Sequence, residues 1–137
     1  MTRDDDGYTL TEMLVVIVII GLLAAILTPM LAGQLGRARV KAARLQAENV
    51  ATSVEMFRSD VGRYPKVEEG LQSLVIEPPA VEGWLGPYIK NREALNDPWG
   101  HPLGYAVDPA TAQPVISSLG ADGKPGGRGA DADVTTR

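Results

Sequence analysis

An uninterrupted apolar stretch dominates the N-terminal part of the chain. Residues 13–27 carry no polar side chain, and beyond Thr28 and Pro29 the largely apolar stretch runs on to Ala32. About twenty apolar residues are needed for a helix to cross a bilayer, and a helix that is apolar on every face is not a surface helix. We therefore expect residues 8–32 to form a helix that is covered by lipid or by other copies of the chain.

An amphipathic helical pattern follows the apolar stretch. Apolar residues recur at spacings of four and three along two neighbouring stripes: Leu31, Leu35, Ala38, Ala42 and Leu45, and then Ala43, Ala47, Val50, Val54, Phe57 and Val61. Much of the remaining surface of its first half is basic, with Arg37, Arg39, Lys41 and Arg44. The pattern predicts a helix over residues 8–60 with a narrow apolar face. Pro29 lacks an N–H and weakens this helix locally, and Gly62 with Pro65 ends it.

Short apolar segments in the second half of the chain predict a small sheet. Residues 67–76 have the spacing of a short amphipathic helix, with Leu71, Leu74 and Val75 facing inward. Residues 103–107 and 114–118 alternate in part and predict two antiparallel strands joined by a turn at residues 108–111. The Asp-Pro-Trp-Gly sequence of residues 97–100 is typical of a type I turn that folds Trp99 onto the core. So small a sheet must pack on residues 43–61 of the long helix, and the expected fold class is α+β.

The composition excludes several classes of function. The chain has no cysteine, which rules out disulfides, thiol catalysis and cysteine-ligated zinc. Its 13 basic and 17 acidic residues give a net charge of −4, so the basic excess of a general nucleic-acid binder is missing. The single histidine, His101, excludes a histidine metal cluster, and no nucleophile or phosphate-loop motif is present. We predict that the protein is not an enzyme and has no nucleic-acid partner.

Glu12 is unusual because a carboxylate is costly at the edge of an apolar stretch. Thr9 and Glu12 have the spacing of a helix capping box. The other interpretation is a charge retained for a partner charge inside an assembly, and the spacing alone does not separate the two. A cleaved secretory signal is a further reading of the stretch, but such signals begin with basic residues, whereas residues 1–7 are acidic.

Residues 117–134 combine aspartates with many glycines. Asp122, Asp131 and Asp133 lie in the sequence SSLGADGKPGGRGADADV. Glycines allow the backbone to fold tightly, and carboxylates with backbone carbonyls suit calcium. Residues 126–131 also match the start of a calcium β-roll repeat, an architecture that needs tandem copies, and only one is present. Composition alone favours the other interpretation, a disordered acidic, Gly-rich tail.

Two sets of residues resemble a known family. Gly7-Tyr8-Thr9-Leu10-Thr11-Glu12, followed by the apolar stretch and Pro29, resembles the signal of type IV pilins and pseudopilins. The sequences DVGRYP, EGLQSL, GPYI, DPWG and SLGADG follow in order over residues 60–123. This series is similar to the major pseudopilins of type II secretion systems over about residues 7–134.

The resemblance implies a type IV pilin-like fold and particular site residues. A prepilin peptidase would remove the leader, residues 1–7, after Gly7 and methylate Tyr8. Glu12 would neutralise the N-terminal ammonium of a neighbouring subunit, and Pro29 matches the proline of the family's long helix. The implied calcium ligands are the side chains of Asp122, Asp131 and Asp133, the Leu119 carbonyl and Ser117.

The function implied by the resemblance is structural. Residues 8–32 would span the inner membrane once, and residues 33–137 would form a domain in the periplasm. Subunits would then enter a helical homo-oligomer, driven by a cytoplasmic ATPase, that pushes folded exoproteins through an outer-membrane secretin. Minor pseudopilins and an inner-membrane assembly platform are the other implied partners. The alternatives are a type IV or competence pilin and a calcium-responsive single-pass membrane protein.

The chain departs from the family pattern at both ends. Its leader carries Asp4, Asp5 and Asp6 where basic residues are usual, Tyr8 replaces the commoner phenylalanine, and the C-terminus lacks a closing tryptophan. Basic residues follow the apolar stretch instead of preceding it, which by charge alone places the C-terminal domain in the cytoplasm. The resemblance places it in the periplasm, because the relatives also carry basic residues after the membrane segment.

Overall fold

A single long helix links the two units of the chain. The computed structural model describes residues 8–136, so the leader and the predicted cleavage residue Gly7 lie outside the described residues. The chain divides into two compact units, Met1–Leu35 and Gly36–Arg137. Helix α1 spans Leu10–Val61, which confirms the predicted helix to within two residues at each end.

In the first unit, α1 carries the apolar stretch. Its large apolar side chains are all exposed within the described chain, and the helix is long and apolar enough to cross a membrane by length and composition. Pro29 lies inside the helix, and its missing N–H removes one bond of the helical ladder. Just before it, the Thr28 hydroxyl donates to the Ala24 carbonyl at 2.7 Å.

In the second unit, α1 supplies one side of the core. Its buried residues are Ala43, Ala47, Val50, Val54 and Phe57. These belong to the second of the two predicted stripes, whereas Leu45 of the first stripe remains 53% exposed. Full burial of a Val or Phe side chain stabilises a fold by about 1.5–3 kcal/mol, so covering this stripe contributes much of the stability of the second unit.

A three-stranded antiparallel sheet covers that face. Strands β1 (Gly104–Val107), β2 (Pro114–Ser118) and β3 (Val134–Thr135) lie in the order β1-β2-β3. Tyr105 pairs with Ile116, and Ser118 pairs with Val134. Ile116 is fully buried in the same cluster as the α1 residues. The two predicted strands and their packing on α1 are therefore confirmed, and β3 is an additional strand that the sequence pattern did not indicate.

The segment after α1 differs from the predicted short helix over residues 67–76. A turn is followed by a 3₁₀ helix, Leu71–Leu74. Gly70 precedes it with φ of +56°, a conformation that breaks a regular α-helix and favours glycine. Leu71 and Leu74 are nevertheless buried, because residues three apart share a face in either type of helix.

A partly buried ion pair between Arg63 and Glu69 stabilises the segment that follows α1. The Arg63 guanidinium donates two hydrogen bonds of 2.7 Å to Glu69, which also accepts from the Lys66 N–H at 2.8 Å. The Arg63 hydrogen bond is the main cause of a lowered pKa for Glu69. Nearby, the Tyr105 hydroxyl donates to the Pro65 carbonyl at 2.7 Å, and burial raises the pKa of Tyr105 to about 12. The Tyr105 hydroxyl thus remains a neutral donor at physiological pH.

Candidate functional site

The N-terminal site lies at the start of α1. Tyr8 is 77% exposed, and the Thr9 hydroxyl accepts a hydrogen bond of 3.2 Å from the Glu12 N–H. Among residues 8–136, no hydrogen bond joins the Glu12 carboxylate to the Thr9 N–H. In the described chain, the cap therefore uses the backbone N–H of Glu12 and not its carboxylate.

Residues 119–133, here called the Gly-Asp loop, connect β2 to β3. The Ala121 N–H donates to the Ala130 carbonyl at 3.0 Å. Gly120 and Gly127 have φ of +70° and +87°, and a Cβ on either residue would collide with the backbone of Asp131. Glycine is required at both positions, since a side chain has neither the space nor the conformation. The structure thus describes a folded, closed loop rather than a disordered tail.

The aspartate carboxylates of the Gly-Asp loop do not lie together at one point in the structure. Asp122 accepts from the Lys124 N–H at 3.0 Å, and Asp133 accepts from the Gly126 N–H at 2.9 Å. Within the described chain, no three Asp, Glu or His side chains lie close enough together to hold a metal ion. Carboxylate and carbonyl oxygens fit the chemistry of calcium, and the closed backbone brings the two arms of the loop together. Gathering the ligands requires the exposed aspartate side chains to turn inward.

The two other predicted ligands flank the loop. Ser117 lies in β2 opposite Gly104 and Thr135, and a Cβ on Gly104 would meet the Ser117 hydroxyl at 2.5 Å. Its side chain therefore lies over β1, and Ser117 itself lies within β2, two residues before the loop begins at Leu119. Leu119 is the first residue after β2 and is partly exposed.

A buried aspartate, Asp97, is linked by hydrogen bonds to the residues at the start of the Gly-Asp loop. Asp97 is 5% exposed. One oxygen accepts from the Trp99 and His101 N–H groups at 3.0 and 2.9 Å, and the other accepts from the Ser118 hydroxyl at 2.6 Å. The Ser118 oxygen accepts from the Gly120 N–H, and His101 Nδ1 lies 3.1 Å from the Gly120 carbonyl oxygen. The turn at residue 97 is thereby tied to the first residues of the loop.

The turn at residues 97–100 was predicted from the sequence, but its attachment to the Gly-Asp loop was not. The Gly100 N–H donates to the Asp97 carbonyl at 2.9 Å, as the turn requires. Trp99, however, is half-buried and lies outside the main core cluster, so its predicted packing on the core is wrong. Trp84 occupies such a position instead, where its indole N–H donates to the Ser73 carbonyl.

Asp97, His101 and Ser118 are the residue types of a nucleophilic triad, but their order differs from one. The serine hydroxyl donates to the aspartate and not to the histidine. Activation of a serine requires a base that takes its proton, with a third group orienting the base. Here the aspartate lies between the other two, an arrangement that fixes a turn.

Two features define a pilin-like subunit. The first unit is an exposed apolar helix, and in the second unit the same helix packs against a small antiparallel sheet. Residues 2–28 match the family model of the prokaryotic N-terminal methylation motif, and residues 30–137 match that of type II secretion system protein G. The chain belongs to the type II secretion system protein G family, the major pseudopilins.

Curated relatives and a solved structure agree with this assignment. Type II secretion system core protein G of Xanthomonas campestris pv. campestris is 40% identical, over 93% of this chain and 87% of the relative. The protein of the same name from Pseudomonas aeruginosa is 38% identical, over 96% of this chain and 94% of the relative. The crystal structure of the major pseudopilin from the type 2 secretion system of enterohaemorrhagic Escherichia coli matches with a TM-score of 0.63 at 26% identity. The match covers 77% of this chain and 92% of the chain in that crystal structure.

These matches confirm the family resemblance and the α+β, pilin-like fold. They support the secretion subunit over a type IV pilin, a competence pilin or a membrane sensor, and they place the chain among structural subunits. The leader boundary, the domain limits at residues 8, 32 and 33, and the individual site residues stay predictions.

Proposed function

We propose that this chain is the major structural subunit of a pseudopilus that pushes folded exoproteins through an outer-membrane secretin. The observation that carries the proposal is the first unit of α1, whose apolar side chains are exposed on every face. Such a surface requires a cover of lipid or of equivalent helices. In a family of pseudopilins, both covers are used in turn: the inner membrane before assembly and the filament core after it.

Exchange between the two covers is energetically feasible. Lipid tails are about as apolar as the side chains of a neighbouring helix, so little hydrophobic free energy separates the membrane from the filament. The remaining difference comes from close packing and polar contacts. We infer that the inner-membrane assembly platform and its ATPase need to supply only this net free-energy difference for each subunit added. Minor pseudopilins would be further partners in assembly.

Glu12 supplies one of these polar contacts. Its carboxylate takes no part in the helix cap. A charge costs about 2.5–3.5 kcal/mol at the centre of a membrane helix, and a smaller part of that cost applies to Glu12 at the edge of the apolar stretch. Pairing with the methylated N-terminal ammonium at Tyr8 of a neighbouring subunit recovers part of this cost. The ion pair forms only between copies, so it favours the filament over the membrane.

Processing is the first test of the proposal. We expect the protein extracted from membranes to have the mass of residues 8–137 plus one methyl group. The control is a Gly7→Val variant, which should retain the leader and form no filaments. An unmutated chain that begins at Met1, or that is cut beyond Ala25, would refute a pseudopilin role.

We also propose that the Gly-Asp loop binds calcium. The ligands would be Asp122, Asp131 and Asp133, with the Leu119 carbonyl and Ser117. Support comes from the closed backbone of the loop, which Gly120 and Gly127 allow, and from the oxygen-rich donor set. The bound cation would neutralise the carboxylates and hold the loop in one conformation.

Thermal unfolding of the full chain in detergent tests the calcium proposal. A ligand that binds only the folded form stabilises it by about 2.7 kcal/mol at a hundredfold excess over Kd. Melting should therefore occur at lower temperature with chelator than with calcium, and magnesium should restore it poorly. Asp122→Ala and Asp133→Ala should each remove the calcium-dependent shift, whereas Asp108→Ala, a matched change in the β1–β2 turn, should retain it. Superimposed curves for the unmutated chain would refute a calcium site.

A further inference from the structure

Two exposed surfaces of the second unit carry opposite charge. On one of them, α1 presents Arg37, Arg39 and Lys41, which are exposed and form no ion pair within residues 8–136. Arg37, Lys41 and Leu45 are spaced by four, so they share one face of the helix. Leu45 is 53% exposed. This face, here called the basic face, thus combines positive charge with an uncovered apolar side chain.

An apolar groove with an acidic rim lies beyond the C-terminal end of α1. It has a volume of about 390 Å³, and its lining includes Glu68, Glu69, Ile76 and Glu77. Ile76 is 53% exposed. Glu69 is already paired with Arg63, whereas Glu68 and Glu77 are exposed and form no ion pair among the described residues. We call this feature the acidic groove.

The basic face and the acidic groove are formed by different parts of the second unit. Lys41 and Val61 are separated by twenty residues of helix, which is about 30 Å at 1.5 Å per residue. The acidic groove is at the Val61 end, because its residue Glu69 is bound by Arg63, two residues beyond the helix. When two different surfaces of one unit complement each other, copies join in a head-to-tail contact, which propagates into an open helical array unless the rotation closes a ring.

We propose that the acidic groove receives the basic face of a second copy of this chain. Leu45 of one copy would pack against Ile76 of the next, and Arg37 and Lys41 would approach Glu68 and Glu77. Arg44 faces another cavity, which it shares with Asp133 of its own chain, and is not part of this contact. The inference rests on the proposed function in one respect: the second copy is a neighbour in the pseudopilus.

Disulfide cross-linking tests the contact directly, because the chain has no cysteine of its own. A chain with Lys41→Cys and Glu77→Cys, assembled into filaments by the complete secretion machinery, should give a ladder of covalent multimers on mild oxidation. The matched control combines Lys41→Cys with Glu93→Cys, an exposed acidic position outside the acidic groove, and should give none. Filaments of the first variant without a ladder, or ladders of equal yield in both, would overturn the proposal.

Charge reversal tests the electrostatic part. Lys41→Glu should lower filament yield several-fold, and adding Glu77→Lys in the same chain should restore most of it. Lys90→Glu, an exposed reversal outside both surfaces, should leave the yield unchanged. A double variant no better than the single one would overturn this pairing while leaving the filament role intact. If the unmutated chain forms no filaments at all, the proposed function fails and this contact fails with it.

Discussion

Asp97 is predicted to be the most sensitive polar residue of the second unit. Its carboxylate accepts three hydrogen bonds, from the Trp99 and His101 N–H groups and from the Ser118 hydroxyl, at 2.6–3.0 Å. Hydrogen bonds to a charged group contribute about 1.5–3 kcal/mol each, and burying that group offsets part of the gain. Replacement by alanine also leaves the Ser118 hydroxyl without its acceptor at a position that is 1% exposed.

We expect Asp97→Ala to lower the free energy of unfolding by about 2–4 kcal/mol. For a domain of this size, that corresponds to a fall in Tm of about 10–20 °C. Asp97→Asn keeps the shape and can still accept from the two N–H groups, so about half of the loss is expected. Thermal melts of the full chain in detergent, followed by tryptophan fluorescence, measure these shifts.

A matched control separates the buried network from the turn itself. Asp108 accepts a hydrogen bond of 2.8 Å from the Ala110 N–H, two residues on, in the same way that Asp97 accepts from Trp99, but in an exposed turn. Asp108→Ala should therefore change Tm only slightly. If Asp97→Ala shifts Tm no more than Asp108→Ala does, the buried network contributes little stability and the reasoning is refuted.

Three further predictions concern other parts of the chain. Glu12→Ala should preserve membrane insertion but reduce filament yield, whereas Thr9→Ala should loosen the cap and leave assembly largely intact; equal yields for Glu12→Ala and the unmutated chain would contradict the assembly role. Ala112 has φ of +55°, so Ala112→Gly should stabilise the fold by about 0.5 kcal/mol in urea unfolding, because the strain relieved exceeds the cost of the greater freedom of the unfolded glycine. The pKa of Glu69 lies below its ordinary value of 4.5 because of Arg63, so its stabilising effect is complete above pH 4.5 and is lost as the pH falls through the folded pKa. Acid unfolding of Glu69→Gln should accordingly be less steep below pH 4.5 than that of the unmutated chain.

The elements with long, regular patterns were predictable from the sequence. Helix α1 was predictable because its periodicity extends over some fifty residues and because Gly62 and Pro65 mark its end. The choice between its two apolar stripes was not, since both have the same spacing. What decides it is the position of the sheet, in particular the contact of Ile116 with the cluster around Phe57.

The candidate site was only partly predictable, because its order depends on contacts between distant residues. Composition alone did not distinguish a folded Gly-Asp loop from a disordered tail. The distinction lies in the packing of Gly120 and Gly127 on the backbone of Asp131. The Asp-Pro-x-Gly sequence predicted a turn at Asp97, but the bond from Ser118, twenty-one residues away, has no sequence pattern. Likewise, β3 is two residues long, too short to show the alternation of a strand.

The surfaces that the chain does not cover identify the protein as a subunit more strongly than the core does. In the second unit, one stripe of α1 is covered by the chain's own sheet, while Leu45 on the other stripe is not. The Gly-Asp loop lies against the first turns of α1 in this unit, since a Cβ on Gly36 would contact Ala130 at 3.4 Å, and Gly36 precedes the buried Ala43 by seven residues on the covered side of the helix. Ordering the loop therefore shapes the end of the unit that carries the basic face. A cation held in the loop would change the charge at this end of the unit as well as the stability of one copy, because Asp133 shares a cavity with Arg44, three residues beyond Lys41.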